Sequence, residues 1–305
     1  MEEVPEGGKL PAKGGAAMTD AQPNLHRRRL GLQLRSLRKA TGMSLDEAAE
    51  KLDLPGKPSL SRIENGKQRV QPTAIFGFFE VYELEDEGRR QYIRQLAKLA
   101  ASGKRSNLIN EYRHAIPDPF AEYLDLEELA TKSETFAFLI PGLLQTEAYA
   151  HAVVESSRGW QHQREIASFV ELRMARQKVL RRQEPLHLWC ILEEAALMRR
   201  VGGNALMKEQ LQHLLNVTEE LGHVHVQVLL FDHGAHTGMD GSFHLLHFPA
   251  GPPVAVVEPM TTSLYLEEDK HLARYETGFN HLRGEALPAK AARDYINRVI
   301  KERYT

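Results

Sequence analysis

The chain has 305 residues, a hydrophobic share of 42% and a formal net charge of −2, so it is long enough for two folded domains. These values argue against global disorder, and no apolar run approaches the ~20 residues that a membrane-spanning helix needs. The acidic start Met1-Glu2-Glu3 is unlike a secretory signal, which predicts a cytoplasmic protein. The single cysteine, Cys190, excludes a disulfide within these residues, and its apolar surroundings predict a buried thiol.

Positive charge is concentrated towards the amino terminus. Residues 27–82 contain eleven Lys and Arg against six Asp and Glu, a local charge of +5, so the rest of the chain carries −7. This asymmetry is expected when one domain faces phosphate and the other does not. We call residues 25–102 the head and residues 119–305 the body.

Residues 1–24 are rich in Gly, Pro and Ala and are predicted to form a disordered tail. Five helices are predicted in the head, because apolar residues recur there at helical spacing between glycine and proline breaks. The predicted helices are Leu25–Thr41, a second opened by Ser44, Ser59–Asn65 after the turn Asp53–Pro58, a fourth around Ile75–Val81, and Asp86–Ala101.

The inward faces of these helices follow from the same spacing. Leu30, Leu34 and Leu37 share one face of the first helix, and the small residues Ala48 and Ala49 permit close helix approach in the second. Glu47 stands three residues after Ser44, the spacing of a capping box. Two short helices joined by a tight turn are typical of a helix-turn-helix, whose second helix enters the major groove of DNA.

The polar residues 103–118 are predicted to be a linker, followed by a regulatory or partner-binding α+β domain with a mostly antiparallel sheet. Strands are predicted between helical runs, at 186–192, 224–231, 242–248, 254–258 and 263–266. Helices are predicted at about 119–132, 145–155, 163–182, 204–220, 269–283 and 289–302.

The head resembles the phage-repressor-like XRE family. The resemblance rests on Leu34-Arg35-x-Leu37-Arg38, Gly42, Ser44-x-x-Glu47-x-Ala49 and Leu60-Ser61-Arg62-Ile63-Glu64-Asn65-Gly66. It implies a salt bridge between Arg38 and Glu64 and a core position for Leu60 and Ile63. It also implies a set of DNA contacts: Lys57, Pro58 and Arg62 towards base edges, Ser44 and Ser59 as phosphate contacts at helix starts, and Lys67 and Arg69 towards the backbone.

Two further points concern the DNA-facing residues. Arg62 is suited to donate two hydrogen bonds to O6 and N7 of a guanine, the commonest specific contact. The run Arg27-Arg28-Arg29 is interpreted either as additional phosphate contacts or as a solvated basic patch.

The body resembles the WhiJ-like, antitoxin-like regulators of filamentous actinobacteria, and the most distinctive element is Pro141-Gly142-Leu143-Leu144-Gln145-Thr146. The resemblance implies a transcription factor of development or specialised metabolism, commonly encoded beside a small partner protein. Binding of phosphate at Pro141-Gly142 or Gly202-Gly203 is the less favoured interpretation of these turns, since most glycine-rich turns are only turns.

Six histidines lie within 25 residues: His223, His225, His233, His236, His244 and His247. The spacing permits zinc, but no cysteine is near, so we expect surface or core histidines and no metal or other cofactor. Five carboxylates are expected to form buried ion pairs with Arg173 or Arg176: Glu193, Glu194, Glu258, Glu267 and Glu268, of which Glu194, Glu258 and Glu267 match the family pattern. No nucleophile with an adjacent base accompanies them, which predicts that the protein is not an enzyme.

Together these patterns predict a sequence-specific regulator that binds double-stranded DNA as a homodimer, with repression as the default mode. The alternative is an antitoxin-like protein that holds a small co-encoded partner and regulates its own expression through DNA binding.

Overall fold

The computed structural model describes residues 25–102, 108, 111–112, 118–156, 162–249, 251–258 and 263–305. The predicted tail and most of the predicted linker lie outside these residues. The chain divides into two compact units, one containing residues 25–84 and 96–101 and the other containing residues 85–95 and the described residues from 102 onward. The domain limits drawn from the sequence stay predictions.

The head contains the five expected helices. They are α1 (Leu25–Ala40), α2 (Leu45–Lys51), α3 (Lys57–Glu64), α4 (Ile75–Val81) and α5 (Glu87–Ser102). The glycines expected to end α1 and α3, Gly42 and Gly66, have φ of +75° and +69°, a region in which glycine has no Cβ penalty. A Cβ on Gly66 would also lie 2.9 Å from the Cα of Arg28, so the close approach of α1 requires glycine there.

The third helix begins earlier than we expected. We placed Ser59 at its start, but the first helical residue is Lys57. Gly56 turns the chain with φ of +80°, and Pro58 suits the first helical turn because its ring fixes a helical φ and its missing N–H needs no partner there. Ser59 therefore lies inside the first turn of α3.

The core of the head is formed where α1, α2 and α3 meet. Leu34 and Leu60 are fully buried, as are Ala48 and Ala49, and Ile63 is nearly so. A Cβ on Gly31 of α1 would lie 2.5 Å from the carbonyl oxygen of Glu64, which shows how closely α1 and α3 approach. The expected inward positions are therefore confirmed.

A buried ion pair joins the same helices. Arg38 donates from Nε to Oε1 of Glu64 at 2.6 Å and from Nη2 to Oε2 at 3.0 Å, and Nη1 donates to the carbonyl of Met43 at 2.8 Å. The two side chains are only 10% and 4% exposed. The hydrogen bonds with Glu64 raise the pKa of Arg38 above its ordinary value. The pair implied by the family resemblance is confirmed.

The body is built on a mixed six-stranded sheet. Its strands are β1 (Lys132–Ala137), β2 (His187–Glu193), β3 (Val224–Leu229), β4 (Phe243–His247), β5 (Val254–Val257) and β6 (Leu264–Leu266), in the spatial order β3-β2-β1-β4-β5-β6. β1 pairs with β2, and β2 with β3, in parallel; the other three pairings are antiparallel. β1 was missed from the sequence, and with it the parallel half of the sheet.

Seven helices of the described body surround this sheet. They are α6 (Asp118–Leu129), α7 (Glu147–Ser156), α8 (Gln163–Arg176), α9 (Ala195–Met198), α10 (Asn204–Glu220), α11 (Asp269–Glu285) and α12 (Ala289–Arg303). Pairs of helices connect the three parallel strands, as parallel strands require a crossover. None of the helices described here is long and apolar enough to cross a membrane.

One face of the sheet carries a hydrophobic core. Alternate residues such as Phe136, Ile191 and Leu245 pack against Phe279 and Leu282 of α11. Cys190 precedes Ile191 in β2, so its side chain points to the opposite face of the sheet. It is also fully buried there. Burial raises the pKa of its thiol, which confirms the expected packed cysteine.

We expect the Arg38–Glu64 pair to dominate the stability of the head. In Glu64→Gln the guanidinium of Arg38 stays buried without its counter-charge, so the free energy of opening should fall by roughly 3–5 kcal/mol. Hydrogen exchange of the α1 and α3 amides in the full chain measures this change. The exposed residue Glu50 provides the control Glu50→Gln, and equal protection in the two variants would contradict the prediction.

Candidate functional site

The turn between α1 and α2 is fixed by a reciprocal cap. Ser44 Oγ accepts a hydrogen bond from the Glu47 N–H at 3.2 Å, and the Ser44 N–H donates to Glu47 Oε2 at 2.8 Å. This capping box was expected from the spacing alone. It places the exposed Ser44 at the amino end of α2, the helix that precedes α3.

Most of the expected DNA contacts lie on the surface of α3 and the loop after it. Lys57 begins the helix and its Nζ lies 3.7 Å from Oδ2 of the exposed Asp46. The expected contacts that are exposed are Ser44, Lys57, Pro58, Arg62, Lys67 and Arg69. The helix and its loop therefore present a basic surface.

Ser59 differs from the other expected contacts. Its side chain is 2% exposed, and its Oγ accepts a hydrogen bond from Gln68 Nε2 at 3.0 Å. The hydroxyl lies in the interior of the α3–loop junction and is not presented to a phosphate. The expected phosphate contact of Ser59 is therefore not supported.

The loop after α3 folds back onto the helix. The carbonyl of Arg62 accepts hydrogen bonds from the N–H groups of Lys67 at 2.8 Å and Gln68 at 3.2 Å. Arg62 Nε also donates to Gln68 Oε1 at 3.0 Å. Gln68 was not identified from the sequence, because one glutamine in a polar loop carries no recognisable signal.

The remaining basic residues have unequal exposure. Arg69 Nη2 donates to the carbonyl of Ala101 near the end of α5, so its guanidinium has an intramolecular partner. Arg29 is 1% exposed, and Arg27 and Arg28 are half-buried. Arg29 lies on the inward face of α1, so it is neither an additional phosphate contact nor part of a solvated basic patch.

The distinctive turn Pro141–Thr146 in the body is fixed by amide side chains. It forms a short 3-10 helix, Gly142–Leu144. Gln177 Nε2 donates to the carbonyls of Gly142 at 3.0 Å and Gln145 at 2.7 Å, and Gln210 Nε2 donates to that of Leu144 at 2.8 Å. These bonds connect the turn to Gln177, which directly follows α8, and to Gln210 of α10, so the three carbonyls have partners within the fold.

The main buried ion pair of the body has a partner that we did not expect. Arg176 donates from Nε and Nη2 to Glu127 at 2.9 and 2.8 Å, rather than to Glu194, Glu258 or Glu267. Burial opposes the charge, but Glu127 raises the pKa of Arg176 above its ordinary value. The guanidinium also lies 4.9 and 5.1 Å from the ring centroids of Phe120 and Tyr123.

The carboxylates expected to pair with these arginines have other partners. Glu194 accepts hydrogen bonds from the Phe231 N–H at 2.7 Å and from the Tyr295 hydroxyl. Glu258 Oε2 lies 3.6 Å from His244 Nε2. Burial alone would raise the pKa of Glu258, but His244 and the nearby Arg176 and Arg173 lower it.

The six clustered histidines are separated by the fold, and each has its own neighbour. His247 Nε2 lies 2.8 Å from Glu134 Oε2, His233 Nε2 lies 3.3 Å from Glu285 Oε2, and His225 packs against the Trp189 ring. The other three neighbours are the Leu180 carbonyl for His223, the Gly238 N–H for His236 and the Thr135 hydroxyl for His244. In the part of the chain that the structure describes, no group of three or more His, Cys, Asp or Glu is placed to hold a metal ion.

This dispersal leads to a prediction about metal content. Untagged protein prepared without chelator should contain well under one equivalent of zinc or nickel, because metal binding needs ligands that converge on one point. Elemental analysis measures it. Stoichiometric metal that is lost in His236→Ala together with thermal stability would overturn the prediction.

Comparisons with known protein families match two separate stretches of the chain. A family model described as a helix-turn-helix domain matches residues 29–91. A second model, described as a domain of unknown function (DUF5753), matches residues 120–298. No curated protein and no solved structure matches the chain. The second match covers more than half of the chain. The chain therefore belongs to the family defined by the domain of unknown function DUF5753, which is preceded here by a helix-turn-helix domain.

Proposed function

We propose that this DNA-binding regulator is a sequence-specific transcriptional repressor that acts in the cytoplasm. The observation that carries the proposal is the exposed basic surface of α3 and its loop within the matched helix-turn-helix region. Arg62, Lys57 and Lys67 contribute its charge, and α2 is held beside it by a capped turn. A head of this kind blocks a promoter by occupying it.

In this proposal α3 lies in the major groove. Arg62 faces a guanine, and Lys57 with Pro58 approaches neighbouring base edges. Ser44 and Lys67 contact phosphates and set the register of the helix on the duplex. Arg69 takes part only if its bond to the Ala101 carbonyl is exchanged for a phosphate.

The body regulates the head by binding and not by catalysis. Its buried Arg176 and Glu127 pair with each other, and the buried Glu134 has His247 as a partner, which supports a structural role for these groups. A two-turn recognition helix reads few base pairs, so we propose a homodimer that binds two half-sites. The resemblance to WhiJ-like proteins suggests genes of development or specialised metabolism as targets.

Base reading and phosphate contact predict different responses to mutation. Arg62→Ala should weaken binding to the specific site by roughly 1–3 kcal/mol and leave random duplexes almost unaffected. Lys67→Ala should weaken both alike and lower the salt dependence by about one phosphate contact. Titration of the full chain against both duplexes at several salt concentrations measures these effects, and equal losses for Arg62→Ala on both would rule out base reading.

The dimer proposal predicts a dependence on half-site number. A duplex with two half-sites should bind two chains. It should also bind with much higher affinity than a duplex with one half-site, since the second contact becomes intramolecular. Sedimentation velocity with both duplexes measures the stoichiometry, and one chain per two-site duplex would contradict it. If a small protein from the neighbouring gene binds the chain stoichiometrically and regulation requires that protein, the antitoxin-like function replaces the repressor function proposed here.

A further inference from the structure

The side-chain amide of Gln68 joins two residues of α3. Its Oε1 accepts a hydrogen bond from Arg62 Nε at 3.0 Å, and its Nε2 donates to Ser59 Oγ at 3.0 Å. Arginine Nε can only donate, so the amide oxygen must face Arg62 and the amide nitrogen must face Ser59. Arg62 therefore defines the orientation of the amide, and the Ser59 hydroxyl, which can donate or accept, is compatible with it.

The position of Gln68 is also fixed through the backbone. Its N–H donates to the Arg62 carbonyl, beside the similar bond from Lys67. Ser59, the third anchor, is buried in the first turn of α3. Gln68 is thus attached to α3 at one backbone and two side-chain points, and its amide cannot swing away without breaking both side-chain bonds.

This attachment constrains an exposed arginine. Gln68 occupies Nε of Arg62, while neither terminal nitrogen, Nη1 or Nη2, has a hydrogen-bond partner among the residues described. A free arginine side chain loses much rotamer freedom when it binds, and a side chain already held in place loses less. The planar guanidinium is therefore oriented by its inner nitrogen and offers its two outer nitrogens to solvent.

We propose that Gln68 is a positioning residue that aims the terminal nitrogens of Arg62 at O6 and N7 of one guanine. The proposal rests on the proposed function, sequence-specific binding of duplex DNA by the head. Gln68 acts through Arg62 and makes no contact with a base. Specificity at that guanine then depends on Arg62 and Gln68 together and not on Arg62 alone.

Selection from a randomised duplex library tests the proposal with the full chain. The proteins compared are the wild type, Arg62→Ala, Gln68→Met, the double variant and the control Gln71→Met. Methionine keeps the length of glutamine and removes its amide, and Gln71 is an exposed glutamine of the same loop. Melting temperatures within about two degrees of each other would show that the fold is retained.

Arg62→Ala should abolish the preference for guanine at one position in each half-site, a preference of roughly 5- to 150-fold for a bidentate pair. Gln68→Met should weaken preference at the same position by roughly threefold to tenfold, because Arg62 then samples other rotamers. The double variant should match Arg62→Ala, and Gln71→Met should keep the guanine. A loss at another position, a further loss in the double variant, or no loss in Gln68→Met would each overturn the proposal.

A second measurement needs no DNA. In the free protein the NMR signal of the Arg62 Nε–H should exchange slowly with solvent, and this exchange should accelerate in Gln68→Met but not in Gln71→Met. If the wild type enriches no sequence, the proposed function fails and the positioning role fails with it. If the wild type enriches a guanine and the Nε–H exchange is the same in Gln68→Met, only the positioning role is wrong. Should Gln68→Met unfold, Gln68→Asn, whose amide is one methylene shorter, replaces it in both measurements.

Discussion

The buried pair of Arg38 and Glu64 is the constraint on which the proposed DNA-facing surface depends. Arg38 lies at the carboxyl end of α1 and Glu64 at that of α3, and Arg38 also holds the Met43 carbonyl in the turn before α2. One guanidinium thereby fixes three consecutive segments relative to one another. Because two ions removed from water are tolerated only with good geometry, a shift of α3 would leave both charges buried and unpaired. The pair therefore favours a single position of the recognition helix.

The body also contains a buried ion pair that joins two helices. Arg176 and Glu127 form a two-bond pair beneath the rings of Phe120 and Tyr123, and this pair joins α6 to α8. Around the turn Pro141–Thr146, glutamine amides replace charges as the connecting groups. In both places, hydrogen bonds to neighbouring elements use groups that look suited to chemistry: Arg176, Glu127 and the amides of Gln177 and Gln210. Such groups are needed because a buried polar atom must find a partner.

The head was predictable from sequence to the level of single contacts, whereas the body was predictable only in outline. The capping box and the Arg38–Glu64 pair follow from local spacing and from the family resemblance. The start of α3 was misplaced because Lys57-Pro58 reads as a turn, although proline is favoured in a first helical turn. β1 was missed because Lys132–Ala137 contains Lys, Ser, Glu and Thr, and its burial comes from strands far along the chain. Glu127 was likewise missed as the partner of Arg176, because the two residues are far apart along the chain.

The contacts that could not be predicted from the sequence also decide how rigid the proposed recognition surface is. A list of exposed basic residues on α3 treats them as equivalent, but their surroundings differ. Lys57 Nζ lies 3.7 Å from an exposed carboxylate, Arg69 is bound to a backbone carbonyl, and Arg62 is held through one nitrogen by Gln68. A flexible lysine such as Lys67 suits a phosphate, which accepts approach from many directions, whereas two hydrogen bonds from Arg62 to one base edge require a fixed plane. Its local partner therefore makes Arg62 the side chain of this surface best suited to forming two hydrogen bonds with one base.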